Sequence, residues 1–136
     1  MTGSNGHLRL YALHPLDAKN LWDIPNILAQ KFPADSFSVT TKLEFSANKK
    51  NGSQQAGLVV LGLDYAKLAI ASDGTSYRLE QGICKASDKG NPEKKTTVTS
   101  LKKPEVWIRV DVHNPGPNQA RCKFYYSLDG QKYSAV

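Results

Sequence analysis

Residues 106–127 read VWIRVDVHNPGPNQARCKFYYS, and two matched patterns lie in them. Val106, Ile108, Val110 and Val112 alternate with Trp107, Arg109 and Asp111; further on, Cys122, Phe124 and Tyr126 alternate with Lys123 and Tyr125. Period-two alternation marks a strand with one buried face. Between them NPGPNQ (114–119) can only be a loop, because its prolines and glycine punctuate the chain. The two segments predict an antiparallel pair whose register is constrained. A slip of one residue would carry one apolar set to the wrong face. Pairing Val110 with Phe124 aligns the apolar faces and sets Asp111 opposite Lys123, Arg109 opposite Tyr125 and Trp107 near Ser127. An opposite-charge pair of this kind contributes about 0.2–1 kcal/mol.

The same period continues upstream. In FSVTTKLEF (37–45) Phe37, Val39, Thr41, Leu43 and Phe45 share one face, and Ser38, Thr40, Lys42 and Glu44 the other. Asn51-Gly52 in the following ANKKNGSQ (47–54) is a strong turn dipeptide. AGLVVLG (56–62) is apolar on both faces and is expected to be a central strand covered on both sides. Gly62-Leu63-Asp64-Tyr65 forms a corner, AKLAIA (66–71) the next strand, and Asp73-Gly74 a turn into SYRLEQGICK (76–85). A polar loop (86–94), a β-branched run TTVTSL (96–101) and a turn at Leu128-Asp129-Gly130 before QKYSAV (131–136) complete the pattern. HLRLYAL (7–13) and PNILAQKF (25–32) are further strand candidates, and His14-Pro15 reads as a turn. No segment has a capped helical period. Many short strands at regular spacing imply an all-β sandwich or barrel.

Composition narrows the class. A chain of 136 residues most simply makes one domain, and 40% apolar content suffices for a core. No run of about 18 apolar residues exists, so no transmembrane helix is expected. The first 30 residues lack the apolar core of a secretory signal. The net charge of +6 raises an anionic partner, but it comes from 14 Lys and 4 Arg, with lysine pairs at Lys49-Lys50, Lys94-Lys95 and Lys102-Lys103. Arginine is the preferred bidentate reader of phosphate, and dispersed lysines are read as solubilising charge rather than a nucleic-acid footprint. Cys84 and Cys122 have no metal-ligand spacing. Both lie in strand-like runs, where a lone cysteine behaves as a small buried hydrophobe; their redox state stays open.

The remaining chemistry is sparse. Hydrolysis of a glycoside needs two carboxyls at a set separation, and no pattern pairs any two of the acids. His7, His14 and His113 accompany no Gly-x-Ser-x-Gly elbow, and no phosphate-binding glycine loop occurs. Asp88, Asn91 and Glu93 around Gly90 offer oxygen ligands without the spacing of a calcium loop. No metal or cofactor is expected. Two features stand out. The polar face of the 106–127 hairpin carries Trp107, Arg109 and Tyr125, a combination that suits a sugar: aromatic rings pack on pyranose C–H faces while charged groups bond its hydroxyls. Cover of Trp107 by another structural layer is the competing assignment. At the corner, Gly62 permits a bend or positive φ, Asp64 can bond nearby backbone amides, and Tyr65 can bury its ring with its hydroxyl at the rim. That is a structural role, or a domain interface.

LWDIPNILAQKFPADSFSVTTKLEF (21–45), QQAGLVVLGLDYAKLAI (54–70), VWIRVDV (106–112) and CKFYYSLDGQKY (122–133) together resemble the C-terminal module of glycoside hydrolase family 43 enzymes, the β-xylosidases and α-L-arabinofuranosidases. The resemblance runs from about Leu8 to the end. It implies a concanavalin-like, two-sheet antiparallel jelly-roll, a single module over residues 1–136, cut from a longer enzyme whose catalytic residues lie on a separate five-bladed propeller. The expected role is a non-catalytic accessory one: packing on that propeller and contacting xylan or xylo-oligosaccharides through Trp107, Arg109 and Tyr125. A purely structural or oligomerisation domain without sugar affinity is the alternative, and behind it a basic nucleic-acid-binding sandwich. Family modules continue past the FxYSxDG hairpin, so an open sheet edge and a homodimer through it are also expected. A periplasmic or extracellular address would come only through the parent enzyme.

Overall fold

A computed structural model describes residues 2–4, 6–13, 17–117 and 119–136. His14, Pro15 and Asn118 lie outside the described residues, and with them the turn expected at His14-Pro15 and one position of the 114–119 loop. The described residues form ten strands: β1 (Thr2–Ser4), β2 (His7–Arg9), β3 (Ser36–Glu44), β4 (Gln54–Leu61), β5 (Tyr65–Ser72), β6 (Tyr77–Cys84), β7 (Lys94–Leu101), β8 (Glu105–His113), β9 (Arg121–Ser127) and β10 (Ser134–Ala135). Single 3-10 turns occur at Leu21–Asp23 and Ser87–Lys89. Apart from the small β1-β2 pair, the strands form two antiparallel sheets of four, ordered β10-β9-β8-β3 and β4-β5-β6-β7. This is the expected two-layer sandwich. Among the described residues no helix is long and apolar enough to cross a membrane.

The β8-β9 register is the one its side chains demand: Val110 pairs with Phe124, Asp111 with Lys123, Arg109 with Tyr125 and Trp107 with Ser127. β3 joins the opposite edge of β8 with its own period in phase, Val39 beside Val110 and Thr40 beside Arg109. The inward residues of the two sheets meet in one core of Leu68, Ile70, Leu79, Leu101, Val106, Ile108, Val110, Val112 and Phe124. β8 packs on β5. Phe45, just past β3, meets Tyr77 at the start of β6 edge-on at 6.5 Å. β3 therefore lies over β6, and the sheet orders place β9 over β4.

Five expectations need correction. AGLVVLG is not a central strand: β4 is the edge of its sheet, with Leu58 and Val60 half-buried against the core. The central, doubly covered strand is β5, buried through Leu68 and Ile70 on its inner face and Tyr65, Lys67, Ala69 and Ala71 on its outer one. Apolarity on both faces reports burial, not place in a sheet. HLRLYAL is a strand only over His7–Arg9, where it pairs with β1, and PNILAQKF forms no strand. The final strand contracts to Ser134–Ala135, since the preceding backbone is held in the Asp129 turn. Cys84 is buried as expected, but Cys122 is exposed; both are free thiols.

The turns follow local chemistry. Gly74 and Gly130 take positive φ, +93° and +76°, which side-chain-bearing residues avoid. Asp73 Oδ1 accepts from the amides of Thr75 and Ser76 at 2.9 Å each. Asp129 Oδ1 accepts from the amides of Gln131 and Lys132 at 2.8 and 2.9 Å.

Candidate functional site

The outward face of β3, β8 and β9 brings Trp107, Arg109 and Tyr125 together, as the sequence register requires. Arg109 and Tyr125 are direct neighbours across the pair, with the guanidinium carbon 5.6 Å from the Tyr125 ring centre and Lys123 Nζ at 5.4 Å on the same ring. Arg109 also grips Asp111: Nε donates to Oδ1 at 2.8 Å and a terminal NH2 to Oδ2 at 3.2 Å. Ser38 Oγ adds a third hydrogen bond to Asp111 at 2.7 Å. The hydrogen bond to Asp111 raises the Arg109 pKa, and the same bond, then that from Ser38, lowers that of Asp111.

Trp107 is half-buried within this face. Lys42 Nζ sits 5.0 Å from its ring centre and is tied to Glu44 at 2.8 Å and Glu105 at 3.2 Å. The Asp129-Gly130 turn folds back on the indole, so that a Cβ on Gly130 would stand 2.9 Å from Trp107 Cε2. The three residues thus sit in a flat, cation-rich aromatic row whose polar groups largely satisfy one another. A cation beside an aromatic ring at such an exposed site contributes about 0.5–1 kcal/mol.

The corner is built differently. Gly62 bends without entering the left-handed region. Asp64 does not close its own turn, as expected from sequence, but reaches 22 residues onward: Oδ1 accepts from the Ala86 amide at 2.8 Å and Oδ2 from Lys85 Nζ at 2.7 Å. Those bonds lower its pKa, Lys85 contributing most. Nor does the Tyr65 hydroxyl sit at a rim. It donates to Glu93 Oε2 at 2.8 Å and accepts from the Leu21 amide at 3.3 Å, and burial pushes its pKa up.

Sequence reasoning missed what lies beneath this corner. Glu93 Oε1 is 2.7 Å from Lys67 Nζ, with both side chains about 5% exposed, and Lys67 Nζ also donates to Gln55 Oε1 at 2.6 Å. Gly82, paired with Lys67 on β6, lets the two side chains meet above the sheet: a Cβ there would lie 2.6 Å from Lys67 Cε and 2.7 Å from Glu93 Cδ. Burial lowers the Lys67 pKa, although Glu93 pulls the other way. Asn20 completes the assembly. Its Nδ2 donates to the carbonyls of Ser87 and Asn91 at 2.9 Å each, and its Oδ1 accepts from the Trp22 amide at 2.7 Å. A lysine inside the apolar run AKLAIA, opposite a glycine, was the available signal.

These bonds staple residues 19–23 to the 62–65 corner and the 86–93 turn. On this end of the sandwich Leu63, Trp22, Ile83 and Leu61 all remain more than a third exposed, Leu63 at 63%. A cleft of about 360 Å³ beside it is lined by Asp17, Lys19, Asp23, Asp88, Lys89 and Gly90. A second, of about 260 Å³, lies against Tyr126 to Asp129, Lys132 and Ser134. Neither is lined by Trp107, Arg109 or Tyr125. Among the described residues no group of three or more His, Cys, Asp or Glu is placed to hold a metal ion.

A family model described as the beta xylosidase C-terminal concanavalin A-like domain matches residues 1–136. Neither the curated proteins nor the solved structures contain a match.

Proposed function

The chain belongs to the family of β-xylosidase C-terminal concanavalin A-like domains, and on that premise we propose that it is the non-catalytic accessory module of a family 43 glycoside hydrolase, docked on the catalytic domain through the end that carries the 62–65 corner. The observation that carries the docking surface is the exposure of Leu61, Leu63 and Trp22 at the end of the sandwich whose corner a buried ion pair and Asn20 hold in shape. Large apolar side chains left exposed at one end of a domain point to an interaction surface, and a rigid support lowers the ordering cost of binding. The test is Leu63→Asp, made both in the 136-residue chain and in the parent hydrolase. The isolated chain should melt as before, and the parent should lose the coupling between the melting of its two domains. Retained coupling would remove this end as the contact.

Sugar contact by Trp107, Arg109 and Tyr125 is the second proposal, supported by their convergence on one outward face. Calorimetric titration with xylohexaose, with cellohexaose as control, tests it. Selective saturable binding lost in Trp107→Ala is the expected result. Absence of binding to the folded chain leaves docking as the module's function and the aromatic row as packing for the Gly130 turn.

A further inference from the structure

The outward face of β3, β8 and β9 carries three carboxylates, Glu44, Glu105 and Asp111, and four cations, Lys42, Arg109, Lys123 and Arg121. All three carboxylates are committed. Glu44 and Glu105 both hold Lys42, at 2.8 and 3.2 Å. Asp111 takes Arg109 through both of its oxygens and a third hydrogen bond from Ser38. Lys123 stands directly opposite Asp111 in the ladder, yet that carboxylate is turned to Arg109. Among the described residues neither Lys123 nor Arg121 enters an ion pair. Both are exposed. Lys123 Nζ lies over the Tyr125 ring. Arg121 faces His113, whose Nδ1 is 2.6 Å from Ser36 Oγ.

We propose that the ligand of the aromatic row is an acidic sugar: a xylo-oligosaccharide carrying a uronic acid, whose carboxylate binds at Lys123 and Arg121. This rests on the sugar reading of Trp107, Arg109 and Tyr125 and narrows it. β9 presents Arg121, Lys123 and Tyr125 at alternate positions on one face, in steps of about 7 Å. A pyranose over Tyr125 therefore holds its substituents beside Lys123, and a group one ring further along meets Arg121. The two halves of such a ligand answer the two halves of the row. Its rings offer C–H faces to the aromatic side chains. Its carboxylate supplies the counter-charge that Asp111, Glu44 and Glu105 have spent on Arg109 and Lys42. A guanidinium takes a carboxylate through two parallel N–H donors, and a flexible ammonium adds a point charge beside it. A neutral chain uses neither cation. Salt screens exposed charge pairs, while ring stacking carries no net charge to screen, so the two contributions separate by ionic strength.

The experiment is calorimetric titration of the 136-residue chain with two xylo-oligosaccharides of one backbone length, one unsubstituted and one carrying a single glucuronic acid, at low and at physiological salt. The acidic ligand should bind about fivefold tighter at low salt, as two exposed ion pairs together would give. The difference should shrink as salt is added. Lys123→Gln with Arg121→Gln should erase it in a chain that melts as before, since both side chains are exposed. Equal affinities for the two ligands overturn the inference and leave the sugar reading standing. Binding of neither ligand to the folded chain removes both. A preference that survives the double substitution overturns the inference, as does equally tight binding of polyglutamate, which offers carboxylates without a pyranose.

Discussion

Replacing Glu93 by glutamine keeps the shape of the buried cluster and removes its negative charge. The amide that results offers one acceptor where the carboxylate offers two, so the loss measures the charge together with one contact, to Lys67 or to the Tyr65 hydroxyl. Lys67 and Glu93 are about 5% exposed and 2.7 Å apart. Removing one partner from such a pair costs about 3–5 kcal/mol, because the other is left as an uncompensated buried charge. With an unfolding entropy near 2.1 cal/mol/K per residue, a chain of 136 residues loses roughly 3.5 °C per kcal/mol, so Glu93→Gln should melt about 10–17 °C lower. Lys67→Met added to Glu93→Gln removes the stranded charge and should recover most of that loss. The pH dependence follows from the Lys67 shift. Burial holds its pKa below 10.5 in the folded state, so the unfolded chain binds this proton more tightly. The stability tied to this group therefore rises with pH between the folded pKa and 10.5. In Glu93→Gln the opposing attraction is gone, the Lys67 pKa falls further, and the deficit should shrink as pH rises above neutrality. Calorimetric or circular-dichroism melts at neutral and alkaline pH read all three quantities. The reasoning fails if Glu93→Gln melts within about 2 °C of the parent, or if the double variant is as unstable as the sum of the singles.

Three further outcomes are expected. Gly57→Ala should unfold the chain or strip β4 from β5, seen as lost amide protection over residues 54–61, because the new Cβ collides with the Leu68 carbonyl and Ala69 on a backbone that cannot yield. Ile108→Ala, in the middle of the core and fully buried, should cost about 2–5 kcal/mol in urea denaturation. Asp64, Asp73, Asp111 and Asp129 all have lowered pKa values, Asp129 to about 2 through the amides of Lys132 and Gln131 and the Ser127 hydroxyl. Their contribution is present above 3.8 and lost as pH falls toward the folded values; melting temperatures should stay level from neutral pH down to about pH 5 and drop below pH 4. Asp129→Asn should flatten part of that acid limb.

Within the proposed sites, legibility divided along sequence distance. Trp107, Arg109 and Tyr125 could be placed on one face from the sequence because the hairpin spans only 22 positions and its side chains alternate strictly. That Arg109 would be taken by Asp111, or Trp107 bedded on Gly130 beneath Lys42, could not be read. Those contacts depend on rotamers, on a turn folding back, and on β3 lying beside β8. At the corner, Asp64 looked like a local turn former, yet its partners are Lys85 and Ala86. Glu93 looked like a solvated loop residue, and it is buried against Lys67 and Tyr65.

Taken alone, the sequence determines the all-β class, the β8-β9 register and the turns at Asp73-Gly74 and Asp129-Gly130. Each is set by side-chain period, charge pairing or backbone preference among near neighbours. Only the tertiary structure decides that β3 pairs with β8, across a span that joins Ser36 to His113, and so which strands are edges and which are central. It also decides that AGLVVL lies at a margin while AKLAIA, lysine included, lies at the centre. An apolar residue needs only to leave water, and many neighbours can satisfy it. A buried charge needs one particular partner, and which residue that is depends on how distant strands are ordered in the sheet.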